Sequence, residues 1–131
     1  MSSATSFAAA PYAALLGLLA VALTVRVILG RVKTGIQTGD GGNAQLAQAI
    51  RAHANFAEQT PLALLLIVLA QTAGAPTGIV HALGSVLLLA RLASAWGLSH
   101  SLGPTMPRQA GAGATALVVA AASLLIVYRL F

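Results

Sequence analysis

The apolar and polar positions of the chain fall into four long blocks. Phe7 to Leu29 is an apolar run broken only by Thr24 and Arg26 near its end. A hydrocarbon core about 30 Å thick is crossed by about 20 apolar residues in a helix, so this block predicts a first membrane span. A secretory leader places Lys or Arg ahead of a shorter apolar run; residues 1–6 carry neither, and the span is expected to be retained. Residues 30–43, GRVKTGIQTGDGGN, predict a polar turn that ends in Asn43 as a helix N-cap. From Ala44, the stretch AQLAQAIRAHANFAEQ is amphipathic and Pro61 to Ala70 is almost purely apolar. Together they predict one helix of about 45 Å at 1.5 Å per residue, starting among the head groups and finishing across the core. Pro61 is expected to bend it, since proline removes a backbone donor and crowds the preceding turn. GAPTG at 74–78 closes a hairpin, a third span runs from about Ile79 to Leu98, SHSLGPTMPRQ forms a second polar turn, and a fourth span runs from about Ala110 to Leu130. Small residues along the fourth (Gly111, Gly113, Ala114, Ala121, Ala122, Ser123) suit close backbone approach between membrane helices. The expected fold is all-α, an integral membrane four-helix bundle forming one domain over residues 1–131, with two successive hairpins as a weak pseudo-repeat.

Composition supports the membrane as solvent. Of 131 residues, 58% are hydrophobic and 7% charged, against about 25% charged in a soluble domain, which excludes an ordinary water-soluble fold. Disorder needs the opposite bias, toward charge and away from apolar residues. With no cysteine, the chain has no disulfide framework, thiolate metal site or cysteine nucleophile, so any thiol chemistry must use a ligand's sulfur. No metal site is expected: no second histidine stands four residues from another and no carboxylate completes a set. TGDGGN lacks the lysine and helix pattern of a phosphate loop and reads as a flexible turn.

Charge then orients the chain. The formal charge is +5, but a nucleic-acid binder shows a basic stripe with interleaved aromatics on a soluble fold, and only six aromatics are present; no nucleic acid is expected. Arg26, Arg31, Lys33, Arg51, Arg91 and Arg108 fall toward the first and third loops, and only Arg129 toward the other side. The positive-inside rule places those two loops in the cytoplasm and both termini outside.

Ionisable groups within a span cost about 2.5 to 3.5 kcal/mol each on insertion scales, so they mark function or a necessary pair. At about 100° per residue, Arg51, Asn55 and Glu58 form one stripe on the second helix, and His53 falls on the opposite side. Arg91 is expected at a comparable depth on the third helix, with Arg108 just before the fourth. Glu58 can neutralise one of the three arginines; the remaining guanidinium groups suit a small polyanion, since arginine grips carboxylates bidentately, and Asn55 and Gln59 can add amide hydrogen bonds. The same residues also admit a structural reading, in which the arginines follow the positive-inside rule and an Arg–Glu pair holds helices together. His53 reads as a packed, structural histidine, and His81 and His100 as solvated at turn edges.

The run RAHANFAE, Arg51 to Glu58, fits the R-x-H-x-N-x-x-E pattern of the MAPEG family, the membrane-associated proteins in eicosanoid and glutathione metabolism. GDGGN at 39–43, Pro61-Leu62, Arg91 and Arg108 resemble bacterial members, and the four spans cover the chain. The resemblance implies a homotrimer of four-helix subunits in the bacterial inner membrane, with glutathione as cosubstrate held at the cytoplasmic end between protomers. Carried over by position, Arg51, Asn55, Glu58 and Arg91 match glutathione-binding residues, Arg108 matches the arginine that stabilises the thiolate, His53 a structural position, and Arg31 a basic residue reaching the ligand from the first loop. Gln59, Ser94 and Leu98 stand where many relatives have tyrosine, and Tyr12 and Tyr128 lie toward the opposite face. The implied function is a glutathione transferase, with peroxidase capacity, acting on lipophilic small molecules from the bilayer. Two alternatives are a non-catalytic trimeric member binding glutathione or another anion, and a small four-helix exporter using a buried carboxylate. The exporter calls for an acid free of arginines, which Glu58 is not.

Overall fold

The computed structural model describes residues 7–131, so the reading of residues 1–6 as lacking a leader's basic cluster lies outside the described residues. Four helices follow one another: α1 (Ala10–Thr34), α2 (Ala44–Thr72), α3 (Thr77–His100) and α4 (Met106–Leu130). Each is long and apolar enough to cross a membrane.

Boundaries follow local chemistry. α1 continues five residues past Leu29, because Gly30 stays helical and the break comes at Gly35, whose φ of 71° turns the chain and lets its N–H donate to the Arg31 carbonyl. α2 starts as expected: the Asn43 side chain accepts from Leu46 N at 2.9 Å. Asn43→Ala is expected to cost about 1 kcal/mol of stability, read as faster hydrogen exchange confined to the first turn of α2. The helix runs unbroken through Pro61; the acceptor that proline leaves without a donor belongs to Ala57, on an exposed position. α4 begins at Met106 rather than near Ala110, because Thr105 caps it and Pro107 occupies the first turn. Arg108 therefore sits inside the helix's first turn, not ahead of it.

The topology is up-down-up-down. Tyr12 on α1 meets His81 and Ser85 on α3 at one end, and Arg26 on α1 meets Ser99 on α3 at the other. α2 packs on all three other helices, while α1 touches α2 and α3 but not α4. The main core holds Leu16, Ile67, Val80, Leu87 and Val118, with small residues between them. Large apolar side chains such as Leu18, Val21, Leu89, Leu117 and Leu124 face outward, as they do when lipid is the solvent and only packing, not water exclusion, holds helices together.

α3 and α4 approach closely at Gly111. A Cβ there would stand 2.1 Å from Ser94 Oγ and 2.5 Å from the Ala90 carbonyl oxygen, so only glycine lets the backbones meet. His81 and His100 are both exposed, yet neither is left to solvent alone: His81 Nδ1 lies 2.8 Å from Tyr12 Oη, and His100 Nδ1 lies 2.7 Å from the Trp96 carbonyl. Both are solvent-accessible as expected, each with one polar partner as well.

Candidate functional site

The α2 stripe splits into two functions. Arg51 and Glu58, two turns apart, close an ion pair at 3.5 Å on the outer surface of the bundle, with side chains 45% and 56% exposed. Asn55, between them, turns inward and accepts from Arg91 Nη1 at 3.0 Å. Glu58 is thus partnered by Arg51 and not by the other arginines among the described residues. Its place at the middle of α2 is the notable part: about 21 Å of helix lies on either side of it.

Arg91 is 1% exposed, and its guanidinium is used inside the protomer. Besides Asn55, it donates from Nη2 to Ser94 Oγ at 2.9 Å and to the Gly111 carbonyl at 3.3 Å; Nε is buried without a partner among the described residues. One side chain therefore ties α2, α3 and α4 together at a single level. Ser94 and Gly111 complete this cluster. Ser94 lies one turn beyond Arg91 on the same helix, and Gly111 sits among the small residues of α4, so both carry a signal that spacing can reveal.

The other predicted residues lie apart from these two groups. Arg108 Nη1 donates to the Leu102 and Gly103 carbonyls at 3.0 and 3.3 Å, fastening the third loop, and its remaining guanidinium nitrogens have no partner among the described residues. Arg31 Nη1 likewise donates to the Ile36 and Gly39 carbonyls and organises the first loop. Gln59 joins Glu58 in lining an open cavity of about 330 Å³ whose far wall is α4 around Thr115 and Val119. Arg108 lies about 10 Å along α4 from Thr115 and outside that cavity. His53 is half-buried. Among the described residues no group of three potential metal ligands occurs.

The sequence profile of the MAPEG family matches residues 9–128, nearly the whole chain and all four helices. The chain belongs to the MAPEG family. It is also similar to inner membrane protein YecN of Escherichia coli (strain K12), 38% identical over 91 residues that make up 70% of each chain, and equally to the protein of that name from Escherichia coli O6:H1. As a MAPEG member with four apolar helices of spanning length, the chain is an integral membrane protein of a glutathione and eicosanoid metabolism family. The paired Arg51 and Glu58 on an outward face and the internally bound Asn55 and Arg91 divide the R-x-H-x-N-x-x-E motif into an outward-facing ion pair and a fastening behind it.

Proposed function

We propose that the protein is a glutathione-dependent membrane transferase, with peroxidase capacity toward lipid hydroperoxides, assembled as a homotrimer in the inner membrane with loops 1 and 3 in the cytoplasm. One observation carries the reading: a half-exposed Arg51–Glu58 pair on a spanning helix, with Glu58 at its middle and Arg51 about 10 Å nearer its start. Facing lipid, such groups cost about 2.5 to 3.5 kcal/mol each. A neighbouring protomer and a zwitterionic ligand relieve that cost, and a guanidinium beside a carboxylate is the complement of glutathione's carboxylate and ammonium ends.

In this arrangement Arg51 holds a glutathione carboxylate, Glu58 the amine, and Gln59 the peptide groups, with Arg31 reaching in from the first loop of a neighbouring protomer. Arg91 keeps Asn55 and the three helices in register, so its contribution is to position α2. Arg108, on the positive end of α4, supplies the charge that favours the thiolate over the thiol. The thiolate attacks an electrophilic carbon, forming the C–S bond as the leaving group departs with the bonding pair. With a lipid hydroperoxide it attacks the terminal oxygen, and the O–O bond breaks with its pair leaving on the lipid alkoxide, which takes a proton from water to give the alcohol; a second glutathione thiolate then displaces hydroxide from the resulting sulfenic acid to give the disulfide.

A non-catalytic member is favoured by one detail: Ser94 and Leu98, at positions where many relatives carry tyrosine, are both buried, and Ser94 serves Arg91. Calorimetric titration with glutathione in detergent separates the two. The transferase reading expects binding at millimolar concentration or below, and an Arg51→Ala protein that stays trimeric while its glutathione affinity falls at least tenfold, about the loss of one charge-assisted contact. Loss of the oligomer in Arg51→Ala with no glutathione binding by the parent chain supports the non-catalytic reading and sinks the transferase.

A further inference from the structure

A second groove lies apart from the one Glu58 lines. It is a cavity of about 380 Å³ between the end of α1, the start of α2 and the end of α3, and its polar lining includes Arg26, Lys33, Asn43, Gln45, Gln48 and Ser99. Two cations line it, and no acid does. The chain has two carboxylate side chains in all: Asp40 accepts from Gly42 N within the first loop, and Glu58 pairs with Arg51 at the other cavity. Arg26 spends one hydrogen bond on Ser99, whose own hydroxyl donates to the Ala95 carbonyl at 2.5 Å. The other guanidinium nitrogens, and the Lys33 amine, have no partner among the described residues.

Depth narrows the ligand. α1 is about 37 Å long against a hydrocarbon core of about 30 Å, so its last turns stand at head-group level, and Arg26 lies about 12 Å below the helix end. The cavity therefore runs from the polar edge to the top of the acyl region, with two uncompensated cations and two glutamine amides along it. That chemistry suits a group with several acceptor oxygens and a negative charge, entered from the loop side or from the leaflet.

We propose that this groove binds a phosphate group, the chemistry shared by an anionic phospholipid head group and a soluble phosphate, and that Arg26 and Lys33 are its ligands. The site is separate from the Arg51–Glu58 edge and independent of any glutathione chemistry. Protein purified in mild detergent from a mixture of phosphatidylcholine and phosphatidylglycerol is examined by native mass spectrometry, and its thermal midpoint in pure phosphatidylcholine nanodiscs is followed on adding inorganic phosphate. Retention of phosphatidylglycerol over phosphatidylcholine identifies the lipid source; a phosphate-dependent rise in the midpoint identifies the soluble source. In either arm Lys33→Gln and Arg26→Gln are each expected to weaken binding about fivefold, the effect of one basic residue at a membrane surface, while Arg129→Gln at the opposite end leaves it unchanged. Ser99→Ala, which removes the partner of Arg26 but no charge, retains binding. Lys33 makes no hydrogen bond or ion pair among the described residues, so its variant tests the site even where Arg26→Gln fails to fold. No preference for phosphatidylglycerol together with no response to phosphate overturns the proposal, as does a response that Lys33→Gln leaves intact.

Discussion

An Arg91→Leu protein is expected to lose about 2 to 4 kcal/mol of stability in detergent, measured from the thermal midpoint or from denaturation in sodium dodecyl sulfate. The loss has three sources at one level of the bundle: Asn55 Oδ1, Ser94 Oγ and the Gly111 carbonyl all lose their guanidinium donor. A single interhelical hydrogen bond in a membrane protein averages only about 0.6 kcal/mol, but these are charge-assisted, and their acceptors stay buried once the donor is gone. Ser94→Ala, which deletes one bond, should therefore cost about 1 kcal/mol or less. Arg91→Lys should recover less than half of the loss, because one ammonium cannot reproduce the planar fork that reaches two helices besides its own. If Arg91→Leu proves as stable as the parent chain, Arg91 is not the fastening between α2, α3 and α4.

On the proposed transferase reading, replacing Arg108 with alanine is expected to lower kcat for conjugation of glutathione with 1-chloro-2,4-dinitrobenzene about 100-fold, the scale of losing one preorganised group from a developing or stabilised anion. The fold should survive, since the Arg108 side chain binds only two carbonyls of the third loop, both outside the spans. A thiol near pKa 8.5 is mostly protonated at neutral pH, and removing the adjacent cation leaves it so. The rate of the variant should accordingly rise with pH over a range where the parent enzyme has already levelled off. Equal rates in the two proteins would remove Arg108 from the mechanism.

Four spans, the Asn43 cap and the hairpin positions were legible in the sequence because each rests on a local rule: apolar length, a side chain reaching its own helix's first turn, a glycine past the last one. The helix ends were less so. Five glycines in 30–43 read as one loop, yet Gly30 lies in helix and only Gly35 onward takes the left-handed turn conformations; nothing in composition distinguishes the two. The second polar turn hid the start of α4, since Thr105 and Pro107 make a good helix beginning inside a string that also reads as a loop.

The site was legible as a set of residues but not as a set of contacts. Helical periodicity placed Arg51, Asn55 and Glu58 on one stripe, and a rotation of a few tens of degrees is enough to send Asn55 to Arg91 while Arg51 and Glu58 pair outside. Which arginine Glu58 would meet depended on tertiary depth, which periodicity along a single helix does not carry. Arg26 drew attention only as a charge that orients the chain, because its meeting with Ser99 and the cavity beside it joins residues from three helices.

α1 has only two buried side chains, Leu16 and Leu23, and no contact with α4. The other three helices share the Arg91 fastening, so the bundle is a three-stave unit with a fourth stave tied to it near its two ends by Tyr12 and Arg26. In a bilayer of different thickness, α1 is expected to tilt more readily than the α2–α4 unit, about its polar ties to α3 at Tyr12 and Arg26.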